Sequence, residues 1–230
     1  MNLRFEANTT NILLGINILM FILTSLLSLL LGNRLDALDL LGADIYVFIT
    51  EGQIWRVLTA TFLHANVFHL AVNMYALHYF GRFIESQYGG KKLFALYILS
   101  GIAGSLLSAI VTSIEIWLGN EGAAYTVGVG ASGALFGILG YILIIPNYYI
   151  NKQHLYYILF LNLFIGFLFA GLIDNWAHIG GLLGGILVGY IDKNARIIME
   201  PQRSYYISLV LLVASFIALI AYNIFQITML

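Results

Sequence analysis

The sequence predicts an all-α polytopic membrane protein, a six-helix body followed by one additional C-terminal transmembrane helix, and three observations carry that expectation. Apolar residues make up 61% of the 230 and charged residues only 9%, with a mean hydropathy of +0.92. A soluble domain is only about half apolar. Polar punctuation divides the chain into seven apolar stretches, most of them close to the roughly 20 residues that a helix needs to cross the hydrocarbon layer. None alternates polar and apolar residues at every second position, as barrel strands would.

The stretches lie near 11–31, 62–82, 92–114, 128–147, 154–172, 173–192 and 205–228. The first, Ile12 to Leu31, is too long for the apolar region of a cleavable signal peptide and lacks a small-residue cleavage site, so it is expected to remain as a signal anchor. The longest connection, Gly32 to Thr61, holds Trp55 and Arg56 and too many apolar residues for a disordered linker. It is expected to fold at the outer interface. The second stretch carries "HANVFHLAVN" and the fourth "GVGASGALFG"; the sixth contains "IGGLLGGILVG" directly after His178. Asp192 to Ser204, with Pro201, reads as a polar connector. The expected organisation is therefore a six-helix core over 1–193, a cytoplasmic connector over 194–204 and the added helix over 205–230.

Seven spans put the termini on opposite sides. With the N-terminus in the cytoplasm, Arg4, Arg82, Lys91, Lys92, Lys152, Lys193, Arg196 and Arg203 lie inside and only Arg34 and Arg56 outside. Because cytoplasmic loops collect Lys and Arg, this orientation is preferred, with a bacterial-type plasma membrane as the expected location. A net charge of −1 excludes a basic nucleic-acid footprint, and no Lys/Arg cluster marks an anionic-lipid patch. The chain has no cysteine, so disulfides, thiolate metal sites and a cysteine nucleophile are excluded. No inverted repeat of the transporter kind is visible.

Stretches two, four and six all run from outside to inside, which makes the depth of their polar residues comparable. Counting back from each cytoplasmic boundary at about 1.5 Å per residue places His69, Ser132 and His178 roughly 6 to 9 Å below the outer edge. Polar groups at such depth are costly and mark functional sites. Each also has a plainer reading: a transmembrane serine bonds its own helix carbonyl four residues back, and a histidine or Asn73 serves as interhelical glue. Gly181, Gly185 and Gly189 repeat every four residues beside Gly180 and Gly184, and Gly133, Gly137 and Gly140 follow Ser132. Glycines so spaced let two helix backbones approach closely, near enough to join a hydroxyl and an imidazole as a nucleophile pair. His69 and Asn73 share one helical face and are side chains suited to hold an oxyanion, together with the Ser132 N–H.

Other chemistries fit less well. The segment lacks the second glycine of a Gly-x-Ser-x-Gly elbow and a preceding strand, no His-Glu-x-x-His occurs, and Asp174 and Asp192 lie near helix ends rather than at the depth an aspartyl protease needs. Haem held by His69 and His178 stays open as an alternative, as does a non-catalytic escort of membrane proteins.

The residues in combination resemble the rhomboid intramembrane serine proteases over about residues 12 to 193. The likeness rests on "WR" at 55–56, His69-x-x-x-Asn73, "GRFIE" ending in Glu85, "GASG" around Ser132 and "AHIGGLLGG" around His178, in that order. The resemblance implies a rhomboid-like six-helix bundle, Ser132 as nucleophile, His178 as general base, and an oxyanion hole of His69, Asn73 and the Ser132 backbone. It implies that Gly130 matches the glycine two residues before the nucleophile, that Arg56 and Glu85 are structural, and that His64 is a supporting hydrogen-bond partner. The final helix is similar to the extra span of some members. Phe136 stands where some relatives carry a tyrosine against the histidine, so it offers ring packing without a hydroxyl. The expected substrates are single-pass transmembrane proteins entering sideways from the bilayer, with no metal or cofactor. No carboxylate is expected to orient His178, and a dyad lacking that support is expected to turn over slowly.

Overall fold

The structure, a computed structural model, describes residues 8–146, 150–169, 173–194 and 201–228. The basic residues Arg4 and Arg196, residue 147 of the fourth expected stretch and residues 170–172 of the fifth lie outside the described residues, as do most of the expected connector and the last two residues of the tail. Helices account for the architecture: α1 (Thr9–Leu31), α2 (Arg34–Leu40), α3 (Tyr46–Thr50), α4 (Arg56–Thr59) continued by a 3-10 turn (Ala60–Phe62), α5 (Val67–Ala76), a π-turn (Leu77–Gly81), α6 (Arg82–Tyr88), α7 (Gly90–Trp117), α8 (Ser132–Ile144), α9 (Lys152–Leu168), α10 (Asn175–Asn194) and α11 (Pro201–Thr228). Among the described residues there is no strand, and one isolated bridge joins Asp44 to Gly128. The protein is an integral membrane protein of all-α type.

Among the described residues three helices, Thr9–Leu31, Gly90–Trp117 and Tyr205–Gln226, are long and apolar enough to cross a bilayer alone. The second expected stretch is divided differently from the sequence reading. Its helix starts at Val67, not near 62, and the preceding turn Arg56–Phe62 is bent 91° from it. Leu63 is extended, and the Asn66 side chain caps the new helix by accepting from the His69 N–H at 2.9 Å. An Asn at that position ends one helix and starts another because its oxygen replaces a missing backbone partner. The fourth stretch is corrected in the same way: the helix begins at Ser132, and 128–131 is non-helical. It ends at Ile144, since Ile145 is extended before Pro146. The last helix starts at Pro201, four residues inside the expected connector.

The length of α8 has a consequence for depth. Its 13 residues rise about 20 Å, about 10 Å short of a hydrocarbon layer near 30 Å. With its C-terminal end at one surface, Ser132 is submerged beneath the other.

Helices α7, α8 and α10 form the centre. An added Cβ at Gly181 would overlap the Gly133 carbonyl, and one at Gly185 would overlap the Gly137 carbonyl, so α10 and α8 touch backbone to backbone. At the end of this trio away from Ser132, Lys92 of α7 pairs with Asp192 of α10 at 2.7 Å, and the Tyr141 hydroxyl of α8 donates to the same carboxylate at 2.8 Å. Elsewhere Glu85 accepts from the Thr9 and Thr10 amides at 2.6 and 3.1 Å and from the Thr10 hydroxyl at 2.6 Å. A carboxylate there answers the free amides and positive end of α1.

The Lys92 ion pair generates a test. Asp192→Ala leaves Lys92, only 6% exposed, charged without its partner, and should destabilise the bundle by about 3 kcal/mol. The Lys92→Met/Asp192→Leu double variant should recover most of that loss, as read by thermal unfolding in detergent.

Candidate active site

Ser132 occupies the first turn of α8 because the chain before it is held open rather than coiled. Gly128 exchanges backbone hydrogen bonds with Asp44, at 2.9 and 2.8 Å, and the Gly130 N–H donates to the Ala60 carbonyl at 3.0 Å. Gly130 has φ +133°, a conformation that a side-chain-bearing residue rarely adopts. Starting the helix at Ser132 frees its first amides, since the first turn has no intrahelical acceptor for them. The serine hydroxyl therefore lies beside unpaired N–H groups, not over a carbonyl of its own helix.

His178 comes from the first turn of α10, whose N-terminus is capped by Asp174: one carboxylate oxygen accepts from the Ala177 N–H at 2.9 Å and the other from the Ser108 hydroxyl at 2.5 Å. The structure brings Ser132 and His178 together, with Nε2 2.8 Å from Oγ. For the imidazole to accept from the hydroxyl, its proton must be on Nδ1. That nitrogen is buried and has no hydrogen-bond partner among the described residues. Asp174 is occupied by the cap, and among the described residues no carboxylate is hydrogen-bonded to the ring. Phe136 packs on it, stacked with centroids 4.3 Å apart and planes within 6°.

His69 and Asn73 rise from one face of α5 toward the turn before Ser132. A Cβ on Gly130 would lie 2.8 Å from the His69 Nε2 and 3.7 Å from the Asn73 Nδ2. The Asn73 Nδ2 is buried with no acceptor. The His64 ring nitrogens and the His178 Nδ1 are likewise buried without a partner among the described residues. Asn73, His69 and the first amides of α8 thus flank one small space next to the serine.

His64 is fully buried and meets His69 edge-on, with centroids 5.1 Å apart and planes at 65°. Arg56 is buried and entirely engaged: it donates to Gln53 Oε1 at 2.7 Å, to the Ala43 and Asp39 carbonyls at 2.8 and 3.1 Å, and to the Asp39 carboxylate at 2.7 Å. Glu85 is occupied with α1, as described above.

Sequence reasoning missed Arg34, which donates to the His64 carbonyl at 2.8 Å and to the Ala65 carbonyl, satisfying the break before α5. No local pattern signals a partner thirty residues away. It also missed Asp44. This residue, with Ser108, Glu115, Asp174 and Asn175, lines a cavity of about 240 Å³ that reaches Gly128.

With this geometry in view, the comparisons with known proteins are informative. A rhomboid domain model matches residues 51–195. The chain belongs to the rhomboid family. It is 37% identical over 186 residues to RHOMBOID-like protein 5 of Arabidopsis thaliana, covering 77% of this chain and 55% of that one. It is 36% identical over 178 residues to rhomboid protease AarA of Providencia stuartii, covering 69% and 63%. Against rhomboid protease GluP of Bacillus subtilis the identity is 32% over 184 residues, covering 76% and 33%. The chain spans about half the length of the first curated relatives it matches. In this rhomboid the matched domain takes in every expected site residue from Arg56 to His178 and leaves α1 and α11 outside.

Two tests follow from the geometry of the turn. Gly130→Ala must carry a side chain in a backbone conformation that costs about 1–2 kcal/mol while displacing His69, and should lower the reactivity of Ser132 towards a fluorophosphonate about tenfold at most slightly altered melting temperature. The Asp44 carboxyl is raised to about 7, chiefly by desolvation, with the Ser105 hydroxyl opposing, Asp174 adding and Arg56 opposing. Its folded pKa exceeds the unfolded value near 3.9, so its contribution to stability is full below about pH 4 and is lost as pH rises through 7. Asp44→Asn should therefore stabilise the protein relative to wild type at pH 8 but not at pH 4.

Proposed function

We propose that this protein is an intramembrane serine endopeptidase that cleaves single-pass transmembrane proteins with a Ser132–His178 dyad. The observation that carries the reading is the 2.8 Å approach of the Ser132 hydroxyl to the His178 Nε2 between α8 and α10. Ser132 Oγ attacks the scissile carbonyl as His178 Nε2 accepts its proton. The imidazolium then returns the proton to the leaving amine, and the acyl-enzyme is hydrolysed by a water that His178 activates in turn. Charge developing on the carbonyl oxygen is met by the Asn73 Nδ2, the Ser132 N–H and His69, and donors held in place before charge develops need no reorganisation.

Support for the oxyanion assignment comes from position: the His69 Nε2 and the Asn73 Nδ2 lie 2.8 and 3.7 Å from where a Cβ on Gly130, two residues before Ser132, would be. A substrate helix must unwind locally to present its carbonyl, because a helix keeps its carbonyls bonded internally. The excess of Lys and Arg in the loops expected inside supports an N-terminus in the cytoplasm and a site toward the outer face of a plasma membrane. The haem reading is less favoured, since the His178 Nε2 is turned to Ser132.

A fluorophosphonate probe tests the reading directly. It should label the purified protein at one site, and Ser132→Ala should abolish both labelling and cleavage of a transmembrane substrate, by about 10⁴-fold or more in kcat. Asn73→Ala should retain labelling while reducing kcat about 10²-fold. Wild-type protein that neither labels nor cleaves would instead favour the escort.

A further inference from the structure

The C-terminal helix α11 lies outside the matched domain and packs mainly along α7, yet one end of it meets the segment that holds the turn before Ser132. Near one end, the Tyr222 hydroxyl accepts from Gln53 Nε2 at 3.1 Å and its ring lies on Trp55, centroids 5.4 Å apart. Asn223 donates to the Leu40 carbonyl at 3.0 Å, and Leu219, buried, reaches the Gly42 backbone. Two points of the 32–61 connection, the end of α2 at Leu40 to Gly42 and the turn at Gln53 to Trp55, are thus held from one helix face.

From there a continuous chain of hydrogen bonds leads inward. Gln53 uses its amide nitrogen for Tyr222 and its oxygen for the Arg56 Nε, at 2.7 Å. Arg56 holds the Ala43 carbonyl at 2.8 Å, and Thr59 holds the Gly42 carbonyl at 2.6 Å. Asp44, the next residue, exchanges both backbone bonds with Gly128, and Ala60, next to Thr59, accepts from the Gly130 N–H. Both anchors of the 128–131 turn therefore belong to the connection that α11 braces. That turn sets where Ser132 and its amide lie.

We propose that Tyr222 of α11 is a positioning residue for the nucleophile, acting through Gln53, Arg56 and the Asp44 and Ala60 anchors of the turn before Ser132. The inference rests on the reading of Ser132 as nucleophile. It gives the seventh helix a function: loosening its outer-loop contact lets the turn shift, which slows reaction at Ser132 without altering how a substrate helix is first bound.

The test uses the full chain in detergent. The rate constant for fluorophosphonate labelling is measured per titratable site, so unfolded protein does not count, together with kcat and KM on a transmembrane substrate. Tyr222→Phe, which keeps the ring and removes the hydroxyl, should lower the labelling rate and kcat roughly threefold to tenfold, the range of coupling through such networks, with KM within twofold of wild type. Gln53→Leu should do the same, and the double variant should fall no further than either single one. Tyr205→Leu removes an α11 contact with Phe94 remote from the connection and should leave the labelling rate unchanged. Wild type that labels at Ser132, with a Tyr222→Phe variant that labels as fast or slows only as much as Tyr205→Leu, would overturn this inference and leave the protease reading standing. Failure of wild type to label at all would remove both.

Discussion

The backbone contact between α8 and α10 is the constraint on which the site depends. A side chain at Gly181 or Gly185 would overlap the carbonyl of Gly133 or Gly137, and one at Gly137 would overlap Ser100 of α7. Ser132 is one residue before the first of these contacts and His178 three before its counterpart. A hydroxyl on a one-carbon stem cannot reach across a helix pair separated by ordinary side chains, at 8–10 Å between axes. Removing the side chains at the crossing makes the 2.8 Å contact possible, and in lipid such close packing is itself the main source of helix association.

Irregular backbone is the second feature of the site, and it has to be satisfied from within. The break at 63–66 and the turn at 128–131 lie inside the bundle, where an unpaired amide or carbonyl is costly unless it lines a cavity. Arg34 answers the carbonyls of the first, and Asp44 and Ala60 answer the second. Arg56, in turn, holds the segment that supplies Asp44. Arg34 and Arg56 are therefore spent on backbone carbonyls and, for Arg56, on the Gln53 and Asp39 side chains as well, so the two arginines expected on the outer side are not free for a partner. The Asn73 Nδ2 is one of several buried side-chain atoms without a partner among the described residues, with the Trp55 Nε1, both His64 ring nitrogens and the His178 Nδ1.

Support for His178 comes from packing where a carboxylate is often found. Phe136, one turn along α8 from Ser132, lies flat on the imidazole, so one helix supplies both the hydroxyl and the surface that fixes the ring bonded to it. Asp174 is close in sequence but committed to capping α10 and to Ser108. Its effect on the ring is through space and through the start of the helix that carries it.

The amino-acid sequence by itself determined the membrane-spanning class, the small-residue faces and the side-chain types gathered on the second, fourth and sixth stretches, because apolarity and four-residue spacing are local properties. It did not determine where two of those helices begin. Hydropathy averages over a window, and Gly-Val-Gly-Ala before Ser132 is as apolar as the helix that follows; only the Asp44 and Ala60 hydrogen bonds keep it unwound. Nor could it show that α11 braces the connection through Tyr222, or that Arg34 and Arg56 end on carbonyls far away in the chain. Those pairings are decided by the tertiary structure, since a hydrogen bond between distant residues leaves no periodicity in the sequence that makes it.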